Sequence, residues 1–131
     1  MPSITIDIRR EYSEAEEAAL IEAVHAALVE AFHILPAHRN VILNVHAPHR
    51  FVGRPDCESP ERLTNISIFV VAGRSRDAKR RLYKAIVERL EPLGIPPLCV
   101  LIKLHEMAAE NIGVRGGQAI CDVELGYPVD V

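Results

Sequence analysis

The apolar positions of this chain switch period in a fixed order, and the order occurs twice. Ser3-Ile4-Thr5-Ile6-Asp7-Ile8 alternates polar and apolar, the period of a strand with one buried face. Leu20, Val24, Leu28 and Phe32 then recur every four residues, the stripe of an amphipathic helix. Val41-Ile42-Leu43-Asn44-Val45-His46 returns to strand character. Further on, Ile66-Ser67-Ile68-Phe69-Val70-Val71 reads as a strand, and Leu82, Ile86, Leu90 and Leu93 form a second helical stripe. Val100-Leu101-Ile102-Lys103-Leu104-His105 closes the series as another strand. The pattern predicts strands over about residues 3–8, 40–46, 65–72 and 98–105.

Local signals mark the helix ends. Ser13 with Glu16 makes a capping box before the first stripe. Ser75 precedes the second helix, and Asp77 in its first turn complements the positive end of the dipole. Gly94 offers a left-handed stop, Ile95 a hydrophobic contact, and Pro96 blocks continuation.

The two series superimpose. Tyr12-Ser13 falls against Arg74-Ser75, Leu20 against Leu82, Val24 against Ile86, Leu28 against Leu90, and Ile34 against Ile95. The offset is about 60 residues, so the chain contains a duplicated strand–helix–strand unit and not a solenoid. Such units give parallel strand pairs with right-handed crossovers. The expected fold is a two-layer α+β domain over residues 1–131. Its pseudo-repeats at about 2–47 and 64–106 form a four-stranded mixed sheet with two helices on one face, followed by a C-terminal arm, 107–131. The strands are apolar on both sides in places: Ile42 and Leu101 fall opposite Val41 and Val100. Strands of that kind are buried on both faces. Two helices cover only one, so a homo-oligomer is expected.

Two segments break the repeat. Residues 47–63 form a long loop with Pro48, Pro55 and Pro60 and with Arg50, Arg54 and Arg62. Loops of this length are often functional. The arm holds Gly113, Gly116 and Gly117, then a strand-like stretch, 118–125, suited to pairing with a neighbouring subunit's sheet edge.

Composition narrows the function classes. A net charge of −3 with 49% hydrophobic and 25% charged residues is ordinary for a globular protein and argues against nucleic acid or membrane as partner. No apolar run is long enough to span a bilayer, and, with no basic segment followed by an apolar core at the start, no secretory signal is expected. Cys57, Cys99 and Cys121 are odd in number and widely spaced, which reads as free thiols in a reducing cytoplasm. His46, His49 and Cys57 have spacing too loose for a metal site, and none is expected.

The candidate chemistry lies at the junctions. Met1 precedes Pro2, a small residue that favours removal of the initiator methionine. Removal leaves a secondary amine, and α-amino groups titrate near ~7.7–8.0. Arg74 and Arg76 flank Ser75 at a helix start, where a carboxylate can be held bidentately. His38 lies in the turn after the first helix, available for acid–base work. His25 and His33 read as surface or boundary residues, and Glu106 as a solvated strand end.

Pro2 before a strand, the duplicated unit, and Ala72-Gly73-Arg74-Ser75-Arg76 running into Lys79-Arg80-Arg81-Leu82-Tyr83 resemble the tautomerase superfamily. The longer members, which include malonate semialdehyde decarboxylase, look most similar, and the resemblance covers nearly the whole chain. It implies a homotrimer with active sites near subunit contacts and no metal or organic cofactor. It implies that Pro2 acts as general base or acid, and that Arg74 and Arg76 bind the carboxylate of a small oxo acid and polarise its carbonyl. Decarboxylase-like members carry an acidic residue after the first helix where this chain has His38. Where many long members have aromatic residues in the tail, this chain has Ile112 and Val114, a smaller apolar wall for the substrate. Three readings follow: keto–enol tautomerisation of small 2-oxo acids; decarboxylation, hydration or dehalogenation of short 3-oxo or unsaturated acids; and a non-catalytic trimeric binding protein.

Overall fold

The computed structural model describes residues 2–131. The expected loss of Met1 therefore lies outside the described residues. Strand β1 (Ser3–Ile8) leads into helix α1 (Glu14–Phe32) and strand β2 (Val41–Val45). Strand β3 (Thr64–Val71), helix α2 (Arg76–Leu90) and strand β4 (Val100–Met107) repeat the sequence of elements. A two-residue pair, β5 (Gly113–Val114) and β6 (Gln118–Ala119), forms a small hairpin in the arm.

The caps form as the residues predict. Ser13 Oγ accepts the Glu16 amide at 3.2 Å while Glu16 Oε1 accepts the Ser13 amide at 3.0 Å. At the start of α2, Ser75 Oγ accepts the Ala78 amide at 3.1 Å. Past a short 3-10 turn, Gly94 takes φ 86°, a left-handed conformation that glycine adopts without a Cβ penalty.

The sheet order is β2-β1-β3-β4. β1 runs parallel to β2, with Ile4 opposite Val41, and β3 runs parallel to β4, with Ile66 opposite Ile102. The two halves join antiparallel, Ser3 opposite Phe69 and Ile8 opposite Thr64. This register brings the start of β1, the start of β2 and the end of β3 to one end of the sheet. Ile4, Ile6, Ile8, Ile66 and Ile68 point inward against Leu20, Leu28, Phe32, Leu82, Ile86 and Leu90, all fully or almost fully buried. Burying each such side chain contributes about 1.5–3 kcal/mol. The opposite face leaves Ile42 56% and Phe69 38% exposed, Phe69 stacking on His105 with centroids 4.3 Å apart.

Three expectations are corrected. Cys57 and Cys99, read as free thiols, are joined in a disulfide. It staples the 47–63 loop to the start of β4, and with Phe51 and Leu63 it makes a small second core. Cys57 is thereby removed from any set with His46 and His49, and Cys121 alone is a free thiol. The cytoplasmic assignment loses the support it drew from unpaired cysteines. No helix among the described residues is long and apolar enough to cross a membrane. His25 is 3% exposed, not a boundary residue, and its Nε2 lies 2.8 Å from the Pro36 carbonyl. It sits between Val24 and Ala27 on the buried face of α1, so the helical turn carries it inward. In the arm, only Gln118 and Ala119 of the 118–125 stretch are strand, and they pair with Val114 and Gly113 of the same chain.

The disulfide closes a loop across 42 residues of sequence separation. Cys57→Ser or reduction is expected to lower the unfolding free energy by roughly 2–4 kcal/mol, read from the urea midpoint. A reduced protein with the same midpoint would show that the staple contributes nothing.

Candidate active site

The end of the sheet where β1 begins also carries a cavity of about 230 Å3. Pro2 forms part of its wall and is itself buried. Ala37, His38, Arg39 and Asn40, from the turn between α1 and β2, form one side. The arm supplies the other, through Val114, Arg115, Val123 and Leu125. The Ile4 amide donates to the Asn40 carbonyl at 2.9 Å, which ties the start of β1 to this turn. A larger groove of about 340 Å3 lies between Tyr12 and Pro92 at the ends of the helices. Its one carboxylate, Glu16, is committed to capping α1.

His38 is half-buried, and its Nδ1 is buried without a hydrogen-bond partner among the described residues. Burial pushes its pKa below the usual histidine value, and the Arg115 guanidinium adds to that push. The ring stands edge-on to Tyr127, with centroids 5.5 Å apart.

Tyr127 links this histidine to an arginine. Arg74 is only 8% exposed. Its guanidinium lies 4.8 Å above the Phe32 ring, donates to the Val71 carbonyl at 3.0 Å and hydrogen-bonds the Tyr127 hydroxyl. Burial pushes the Arg74 pKa down, opposed by Tyr127 and by the charge of Glu106. Burial pushes the Tyr127 phenol up, opposed by Arg74. The end of the arm locks the turn in place. The Ser75 amide donates to the Val131 carbonyl at 3.0 Å. Gly73 has φ 143°, and a Cβ there would meet Val129 Cγ1 at 3.1 Å.

Of the residues singled out from sequence, Pro2, His38 and Val114 line one cavity. Arg74 adjoins that group through Tyr127 and His38 and does not line the cavity. Arg76 is the exposed first residue of α2, with no hydrogen bond or ion pair among the described residues. Ile112 is half-buried beside the cavity's arm residues, its carbonyl accepting the Ile120 amide at 2.9 Å. Glu106 is not simply solvated: it accepts from Lys79 Nζ at 2.6 Å.

Sequence reasoning missed Arg39, Arg115 and Tyr127. Arg39 is paired with Glu22. Arg115 carried a signal, since it precedes Gly116-Gly117 and must occupy a tight turn. Tyr127 belongs to no periodic pattern. The assembled group has a buried proline, a histidine biased to its neutral form and cations on the cavity wall. Such a group can hold an anion and move a proton beside it.

Comparison with known proteins bears on this arrangement. No curated protein sequence matches the chain. FG41 malonate semialdehyde decarboxylase, solved with 3-bromopropiolate as inhibitor, is 31% identical, with TM-score 0.74 over 86% of this chain and 88% of that one. Another malonate semialdehyde decarboxylase, studied for decarboxylase and hydratase activities, is 23% identical, with TM-score 0.79 over 88% of this chain and 92% of that one. Native fused 4-OT shares the fold at 21% identity, with TM-score 0.80 over 92% and 98% of the two chains, and fused 4-OT also occurs as a symmetric trimer. A family model described as tautomerase enzyme matches residues 38–115, more than half of the chain, from the cavity histidine to the cavity arginine of the arm. The chain belongs to the tautomerase family.

Proposed function

We propose that this protein catalyses keto–enol proton transfer on small 2-oxo acids, with the Pro2 nitrogen, freed by loss of Met1, as the base. The observation that carries the reading is the placement of Pro2, buried in the wall of a cavity that also holds His38 and two arginines. A secondary amine fixed by its ring needs little reorganisation to reach a substrate proton. Positive charge nearby disfavours the protonated amine and so keeps the base available near neutral pH.

The chemistry then runs as a balanced transfer. The Pro2 nitrogen takes a proton from the carbon beside the carbonyl. The electron pair of that C–H bond moves onto the carbonyl oxygen as an enolate. The positive charge of Arg115 on the cavity wall, with buried Arg74 behind Tyr127, stabilises that charge and the substrate carboxylate. Return of the proton to oxygen gives the enol and regenerates the amine. Neutral His38 is matched to a short proton relay beside the amine.

The assembly proposed is a homo-oligomer, a trimer. Support comes from the exposed Ile42 and Phe69 on the open sheet face and from the trimers that fused 4-OT forms on this fold. A second reading, decarboxylation of a short 3-oxo acid, is favoured by the 31% identity to a malonate semialdehyde decarboxylase. Carbon dioxide release from 3-oxopropanoate, with no proton exchange into pyruvate, would favour it over the first.

In deuterium oxide, the protein is expected to exchange the methyl protons of pyruvate. Pro2→Ala is expected to slow that exchange by about 10²-fold or more, the usual scale of a lost positioned base. Equal exchange by the variant would end the proposal. The His38 ring is expected to titrate by NMR with a midpoint below ~6.5, since burial disfavours the imidazolium. Loss of exchange on acidification is therefore expected to follow protonation of the Pro2 amine, with His38 still neutral through the ordinary histidine range.

A further inference from the structure

We propose that Arg115 is the residue that anchors the substrate carboxylate in the Pro2 cavity. The proposal rests on the reading of this cavity as the substrate site and deepens it by assigning the anchor.

Three other arginines lie near this end of the sheet, and each is committed or absent from the wall. Arg74 is buried, its guanidinium held by the Val71 carbonyl, Tyr127 and the face of Phe32 with Nε unpartnered among the described residues, and it does not line the cavity. Arg39 lines the cavity and is neutralised by Glu22. Arg76 does not line the cavity.

Arg115 differs on each count. It lines the cavity and is exposed. Its one hydrogen bond among the described residues runs from Nη2 to the Glu124 carbonyl at 2.9 Å, a neutral partner. No carboxylate pairs with it among the described residues. The guanidinium therefore keeps its full charge and unused N–H donors, and a planar fork of donors matches a carboxylate.

The backbone explains how this side chain is held. Arg115 has φ 48°, and Gly116 and Gly117 follow at 79° and 108°. The three form the turn of the β5–β6 hairpin, whose strands pair Gly113 with Ala119 and Val114 with Gln118. Left-handed backbone is uncommon for a residue with a side chain. Here the turn carries a cation that lines the same cavity as Pro2, with apolar Val114, Val123 and Leu125 for the rest of a small acid. The same placement puts the Arg115 charge close enough to His38 to disfavour its imidazolium form.

The test separates anchoring from catalysis by using oxamate, an isostere of pyruvate with no carbon-bound proton to exchange. Its binding is followed through the His38 ring resonances and by calorimetry, with thermal unfolding of each variant as a check on folding. Arg115→Ala is expected to weaken oxamate binding by at least about tenfold, with Arg115→Lys intermediate and Arg80→Ala like wild type. The His38 midpoint is expected to rise in Arg115→Ala, because a neighbouring cation has gone. Pyruvate exchange should then show a KM increase of similar size with a smaller change in kcat, and methyl pyruvate should be unaffected by the substitution. Equal oxamate affinity in wild type and folded Arg115→Ala, or no oxamate binding by wild type, overturns the assignment. Oxamate binding that depends on Arg115 in a protein that exchanges no pyruvate protons upholds the anchor and removes only the Pro2 base.

Discussion

The antiparallel pairing of β1 with β3 is the constraint on which the molecule depends. Each half of the duplicated chain brings its own parallel partner, β2 or β4. Only the central pairing decides which ends of the two halves meet, and it sets Ser3 opposite Phe69. As a result the start of the chain, the turn after α1 and the turn before α2 converge. A parallel join would send Pro2 and the Gly73–Arg76 turn to opposite ends of the sheet. The inward isoleucines of β1 and β3 hold the register, because a slip of one residue would turn that whole apolar set outward.

The electrostatics of the converging end follow from what the core can cover. Arg74 is drawn under the arm and compensated by an aromatic face, a backbone carbonyl and a phenol. A buried guanidinium requires such partners, since an unpaired buried charge is costly. Tyr127 serves two neighbours, with its hydroxyl on Arg74 and its ring edge-on to His38. The arm thus does three things: it closes the cavity with Val114, Val123 and Leu125, orders Arg74, and presents Arg115. The opposite end of the sheet is organised differently. There the 47–63 loop is stapled by Cys57–Cys99, and no amine stands at the start of β3, where Thr64 and Asn65 occupy the position that Pro2 holds in the first half.

Much of this was legible in the chain itself. The stripes Leu20–Phe32 and Leu82–Leu90 fixed both helices, and Ser13, Ser75 and Gly94 marked their ends by local hydrogen bonding and backbone preference. Strand limits came within two residues, the largest error falling on β4, where a 3-10 turn at Pro97–Cys99 delays the strand. Pro2, His38 and Val114 were recognisable candidates and share one cavity. What escaped depends on contacts between distant segments. Cys57 and Cys99 have no spacing motif, and only the folded loop brings them together. His25 is polar on a buried face, where its bond to Pro36 compensates it. Tyr127 and Arg115 lie in an arm without periodic pattern, and their places follow from a hairpin turn and from packing over Gly73 and Ser75.

Catalysis by Pro2 requires a proline nitrogen that is an amine and not an amide. The mass of the amino-terminal peptide, taken from protein purified from its own cell, tests this most directly. The expected peptide begins at Pro2 with an unmodified nitrogen. A peptide that still carries Met1 would leave Pro2 in an amide bond, with no lone pair available as a base, and would contradict it.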